Sequence, residues 1–146
     1  MRNLLTYLAT LPDFLSWFAT AAAMTGFFML IYIWLTPWRE IQLVRAGNAA
    51  AALSFTGTLT GYVLVLCNVM RHSVSRTDML SWGLVALVVQ LLALLGARLI
   101  IGPALRERME RGDLAVGIVV AGLSIAFGLL NAATMTPDGS SAAGEP

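Results

Sequence analysis

Four long apolar runs alternate with short polar stretches along the chain. The runs cover about Phe14 to Leu35, Asn48 to Met70, Met79 to Ile101 and Leu114 to Met135. At ~1.5 Å rise per residue, each is about as long as a bilayer's hydrocarbon core is thick, ~30 Å. The polar stretches are Thr36 to Gly47, Arg71 to Asp78 and Gly102 to Asp113. This alternation predicts an all-α membrane protein with four transmembrane helices over residues 13–135. Ahead of the first run, Leu4, Leu5, Leu8 and Leu11 recur at helical spacing behind Arg2 and Asn3. That spacing predicts a short interfacial helix over residues 1–12, with Asp13 capping the first span. Residues 136–146 are small, polar and rich in Pro and Gly, and predict a disordered tail.

The second run is too polar for a passive anchor, since Ser54, Thr56, Thr58, Thr60 and Tyr62 lie along it. Ala50, Ser54, Gly57 and Gly61 fall on one helical face. In lipid such a small-residue face lets another helix approach closely. The fourth run has Gly117, Ala121, Ser124 and Gly128 on one stripe and Gly122 with Ala126 on another, which predicts two packing faces. Near mid-depth each span carries one polar residue: Thr25, Thr58, Gln90 and Ser124. A polar side chain in hydrocarbon needs a partner, so these four are expected to face the bundle interior. They are candidates for interhelical contacts, or for the polar lining of a path.

The two halves resemble each other at a constant offset of 65. Asp13-Phe-Leu-Ser-Trp17 matches Asp78-Met-Leu-Ser-Trp82 at all but one position. Leu30 pairs with Leu95, Gly47 with Gly112, Ala50 with Ala115 and Gly57 with Gly122. Each span opens on an Asx residue, Asp13, Asn48, Asp78 or Asp113, suited to capping a helix start. The expected unit is a helical hairpin used twice, over residues 13–70 and 78–135. Each unit crosses twice, so the copies enter with the same orientation, as a parallel repeat. The repeat also argues that the first run is kept. Arg2, an apolar run and Ala-x-Ala at Ala19 to Ala23 resemble a cleaved signal peptide. Cleavage there would leave only Met24 to Leu35, too short to span.

Composition narrows the function classes. The chain is 58% hydrophobic and 12% charged, whereas a soluble globule is about a quarter charged. Its net charge of +1 argues against nucleic acid as a partner. The cations are all arginine. Arg39, Arg45, Arg106, Arg108 and Arg111 fall in the 36–47 and 102–113 connections, with Arg98 beside them; Arg2, Arg71 and Arg76 fall at the other end. That bias predicts cytoplasmic connections and outer termini. In the first connection, Trp38, Ile41 and Val44 are expected against lipid, with Arg39, Glu40 and Arg45 facing water.

Catalytic chemistry finds little here. No Asp, Glu, Lys or His lies mid-span, which argues against proton-coupled transport. His72 has too few companions for a metal site, and Ser73, Ser75 and Asp78 are crowded into its own loop. Cys67 reads as a small apolar residue. The expectation is no catalytic residue, no metal and no cofactor.

Several ordered segments resemble a known family. They are Ala51 to Val63 (AALSFTGTLTGYV), Ser81 to Leu92 (SWGLVALVVQLL), Gly96 to Leu99 (GARL), Pro103 to Glu107 (PALRE) and Gly128 to Thr136 (GLLNAATMT). These look like the YjfL-like bacterial inner-membrane proteins, the family of domain of unknown function 350. The resemblance implies a multi-pass plasma-membrane protein of about four helices and supplies no catalytic residue. It also implies association with PspA-like membrane-stress proteins and ATP-grasp ligases, hence a link to envelope stress.

The residues and the resemblance together predict a non-enzymatic membrane module. It would form homo-oligomers or hold cytoplasmic proteins and membrane lipid through Arg39, Arg45, Arg106, Arg108 and Arg111. The alternative is an oligomeric small channel or transporter lined by Thr25, Thr58, Gln90 and Ser124.

Overall fold

A computed structural model describes residues 2–134, with side chains from residue 10 onward. The expected tail, 136–146, lies outside the described residues. Six helices follow one another: α1 (Arg2–Leu35), α2 (Glu40–Arg45), α3 (Ala49–His72), α4 (Arg76–Ile101), α5 (Leu105–Glu110) and α6 (Leu114–Thr134). Four of them, over Thr10–Leu35, Ala49–His72, Arg76–Ile101 and Leu114–Thr134, are long and apolar enough to cross a membrane.

The expected break between an interfacial helix and the first span does not occur. α1 runs unbroken for 34 residues with Pro12 inside it. Asp13 therefore lies within a helix instead of capping one, and its carbonyl accepts a bond from Ser16 Oγ at 2.8 Å. Proline costs a helix one backbone hydrogen bond but does not oblige it to end. At ~1.5 Å per residue α1 is about 50 Å long, so it outreaches a ~30 Å hydrocarbon core.

The two connections are built alike. α2 and α5 each close on a glycine in the left-handed region, Gly47 at φ 82° and Gly112 at φ 78°. Gly47 N–H donates to Val44 O and Asn48 N–H to Leu43 O; Gly112 N–H donates to Met109 O and Asp113 N–H to Arg108 O. This double bond pattern terminates a helix at a residue without Cβ. The residue after each glycine then starts the next span. Asn48 Oδ1 accepts from Ala51 N–H at 3.0 Å, and Asp113 Oδ1 accepts from Ala115 N–H at 3.1 Å. The closing glycines and the capping residues lie 65 residues from their counterparts, while the capped N–H groups, Ala51 and Ala115, lie 64 apart. The Arg108 guanidinium bonds Asp113 and holds its carboxyl below the usual range. The third turn differs from expectation: Ser75 caps α4 by accepting from Asp78 N–H, and Asp78 reaches back to Val74 N–H.

Asn48 has a second task. Its Nδ2 donates to Met109 O at 2.9 Å, clipping the start of α3 to the end of α5. Asn48→Ala is expected to lower stability by about 2 kcal/mol, read as a lower thermal midpoint in detergent. An unchanged midpoint would show that the cap and clip are solvated in solution.

α3 and α6 form the centre. A Cβ at Gly57 would strike Ala121, one at Gly61 the Ser124 carbonyl, and one at Gly128 the Gly61 carbonyl. A Cβ at Gly117 would sit 2.8 Å from Ala50 Cα. α4 packs against both central helices. α1 sits to the side: 17% of its span is buried, against 50% of α3. It reaches the core with Met24, Phe28 and Tyr32, four residues apart on one face, and Phe28 stacks on Tyr62 at 4.3 Å.

Candidate functional site

Two buried polar clusters lie along α3, one at the connection end and one at mid-depth. At mid-depth Thr58 Oγ1 and Ser124 Oγ are 3.2 Å apart. From α4, Gln90 Nε2 donates to Ser124 O at 3.1 Å and lies 3.5 Å from Thr58 O. All three side chains are about 1% exposed. Glycine makes this possible, because Gly61 lets both Gln90 and the Ser124 backbone approach the α3 backbone. Gln90 Oε1 is buried and has no partner among the described residues.

Thr25, the fourth expected member, is elsewhere. Its hydroxyl donates to Ala21 O of its own helix at 2.9 Å, and it is half-buried. A threonine hydroxyl is short and readily bonds the preceding turn, and α1 lies too far to the side to bring it inward. Of the expected small-residue face, Ala50, Ser54, Gly57 and Gly61 are buried on α3. Gly122 is not: it is exposed, with nothing within 4 Å of a Cβ built there. Asn68 and Asn131 sit at the α3–α6 contact. Asn68 Nδ2 donates to Ala132 O at 2.7 Å, and Asn131 is 8% exposed.

The connection-end cluster departs furthest from expectation. Trp38 and Glu40, placed against lipid and water in the sequence reading, are 2% and 1% exposed. Tyr32 Oη donates to Glu40 Oε1 at 3.0 Å, which leaves Ser54 to donate to Tyr32 Oη across 3.0 Å. α1, α2 and α3 thus meet at one phenol. Glu40 Oε2 and Trp38 Nε1 are buried without a well-formed partner among the described residues. Burial raises the Glu40 pKa from 4.5 to about 7, against the opposing pull of hydrogen bonding from Tyr32, Ser54 and Trp38. No charged side chain contributes to that shift. No signal in the sequence pointed inward: Glu40 stands beside Arg39, and in the matching Arg106-Glu107 pair of the second connection Glu107 is exposed.

The expected cationic set divides in two. Arg106 pairs with Glu110 at 2.8 Å, Arg108 with Asp113 at 2.7 Å and Arg111 with Glu107 at 3.4 Å. Arg39 and Arg45 are exposed and have no acidic partner among the described residues; Arg39 bonds Gln42. Arg98 Nη2 donates to Leu35 O at 2.5 Å, covering a carbonyl at the end of α1. Between the connections an open cleft of about 590 Å³ is lined by Pro37, Arg98, Leu99, Gly102 and Arg106 among others. No group of three or more His, Cys, Asp or Glu residues able to hold a metal occurs among the described residues.

Four apolar spans, two of them a central pair joined through small residues, define a multi-pass helical membrane protein. The chain belongs to the family described as Domain of Unknown Function (DUF350), which it matches over residues 6–135. It is 41% identical over 129 residues to UPF0719 inner membrane protein YjfL of Escherichia coli strain K12, covering 88% of this chain and 97% of that protein. The same figures hold for YjfL of Escherichia coli O157:H7. No solved structure matches the chain.

Proposed function

We propose that the protein is a non-enzymatic inner-membrane scaffold. The 36–47 and 102–113 connections face the cytoplasm and recruit an acidic protein or lipid partner. The observation that carries this reading is the use of the mid-depth polar groups. Thr58, Gln90 and Ser124 bond one another and the α3 and α6 backbones, which are themselves in contact. Side chains so engaged tie helices together and leave little to line a path. The exposed cations at the connection end are the groups left with capacity for a partner. Arg106, Arg108 and Arg111 already hold acids, so Arg39 and Arg45 are the leading contacts. An inner-membrane location accords with the name of the relatives, and the excess of arginine at this end supports the orientation.

The double variant Arg39→Glu/Arg45→Glu is expected to insert normally and to lose proximity labelling of its cytoplasmic partner. Undiminished labelling would overturn the assignment of these contacts. Gln90→Leu separates the scaffold from a channel lined by Thr58, Gln90 and Ser124. Leucine loses the bond to Ser124 O but also removes a buried amide oxygen that has no partner, so thermal stability should stay within about 1 kcal/mol of the parent. Partner recruitment should be unchanged. A changed solute flux through reconstituted Gln90→Leu protein would favour the channel instead.

A further inference from the structure

We infer that the groove between α1 and α4 holds one acyl chain of an anionic phospholipid, with Arg76 binding its phosphate. The groove has a volume of about 610 Å³, within the ~300–1,000 Å³ typical of ligand pockets. Ala19, Ala23 and Phe27 of α1 form one wall, Leu80 and Leu84 of α4 the other, and Tyr62 of α3 lies between them. All lie within helices that can span a bilayer, so the groove opens toward hydrocarbon. Beside it Met24 of α1 sits over Gly83 of α4, and the two helices meet again at the connection end, where Arg98 covers Leu35 O.

The occupant's charge follows from the end of the groove. Arg76, Leu80, Leu84 and Leu87 succeed one another at helical spacing, on one stripe of α4. Arg76 is the first residue of that helix and is exposed, so the stripe leads from hydrocarbon to a cation at headgroup level. Neither Arg76 nor Arg71, at the end of α3, makes an ion pair among the described residues. An apolar slot with an unneutralised guanidinium at its mouth complements a lipid carrying a net negative phosphate. A zwitterionic lipid offers the same chains but masks that charge with its own ammonium. The groove lies at the opposite end from the connections, so this site is independent of partner recruitment.

Native mass spectrometry of the purified protein tests it, with phosphatidylglycerol and phosphatidylcholine of identical chains added in equal amounts. The protein is expected to retain phosphatidylglycerol preferentially. Arg76→Gln should reduce that preference about five-fold, the effect of one interfacial cation. Leu84→Trp, which fills the slot, should lower retention of both lipids. Arg111→Gln, at the far end, should leave the preference as it was. Equal retention of the two lipids by the parent, or an undiminished preference in Arg76→Gln, would overturn the assignment. So would a dimer that Leu84→Trp converts to monomer, because a second copy would then cover the groove.

Discussion

Gly61→Ala is expected to lower stability by about 3 kcal/mol or more, although it adds a single methyl group. That methyl would meet the Ser124 carbonyl and Gln90 Nε2, and the carbonyl is backbone that cannot rotate away. α6 must move off α3, and the movement would also stretch the Thr58–Ser124 contact and the Gln90–Ser124 bond. Gly128→Ala should behave alike, since its Cβ would meet the Gly61 carbonyl from the other side. Gly96→Ala and Gly122→Ala meet nothing within 4 Å and should be neutral or slightly stabilising in mid-helix. Thermal unfolding of the four variants in one detergent separates these cases. A uniform response would mean that α3 and α6 do not touch where the structure places them.

Wild-type protein is expected to be more stable at pH 5 than at pH 8, and Glu40→Gln should abolish that difference. Burial lifts the Glu40 pKa from 4.5 to about 7 in the folded state. Between those values the folded protein holds more proton than the unfolded chain does. Stability therefore falls as pH rises through this window, and is flat below and above it. The full loss is about 3 kcal/mol at ~1.4 kcal/mol per pKa unit. Tyr32, Ser54 and Trp38 are the groups that face the carboxyl, and none carries a charge. Glutamine mimics the protonated acid, so Glu40→Gln should match wild type at pH 5 within about 1 kcal/mol and exceed it at pH 8. A variant that keeps the wild-type pH dependence would show that another group titrates.

The spans were legible in the sequence because each is a long apolar run bounded by charge, and a bilayer leaves few other solutions. The connections were legible at Gly47 and Gly112, where only a residue without Cβ suits the closing turn. Packing was less so. The offset that pairs Thr25 with Gln90 and Gly57 with Gly122 is a likeness of local sequence, while burial depends on where each helix sits. α4 packs against both central helices and buries Gln90; α1 stands aside and leaves Thr25 on its own backbone. α6 turns Gly117, Ala121, Ser124 and Gly128 toward α3, so Gly122 faces outward. Glu40 was misread for a related reason. Charge beside Arg39 suggested water, but the phenol that receives it comes from the preceding span, and only the fold brings Tyr32 and Ser54 to the same point.

The scaffold reading stands or falls most directly on the mass of the particle extracted in a patch of its own membrane, measured by native mass spectrometry. A complex containing a second protein, lost in the Arg39→Glu/Arg45→Glu variant, is the expected result. A closed ring of identical copies, unaffected by that charge reversal, would contradict it and make the channel the better account.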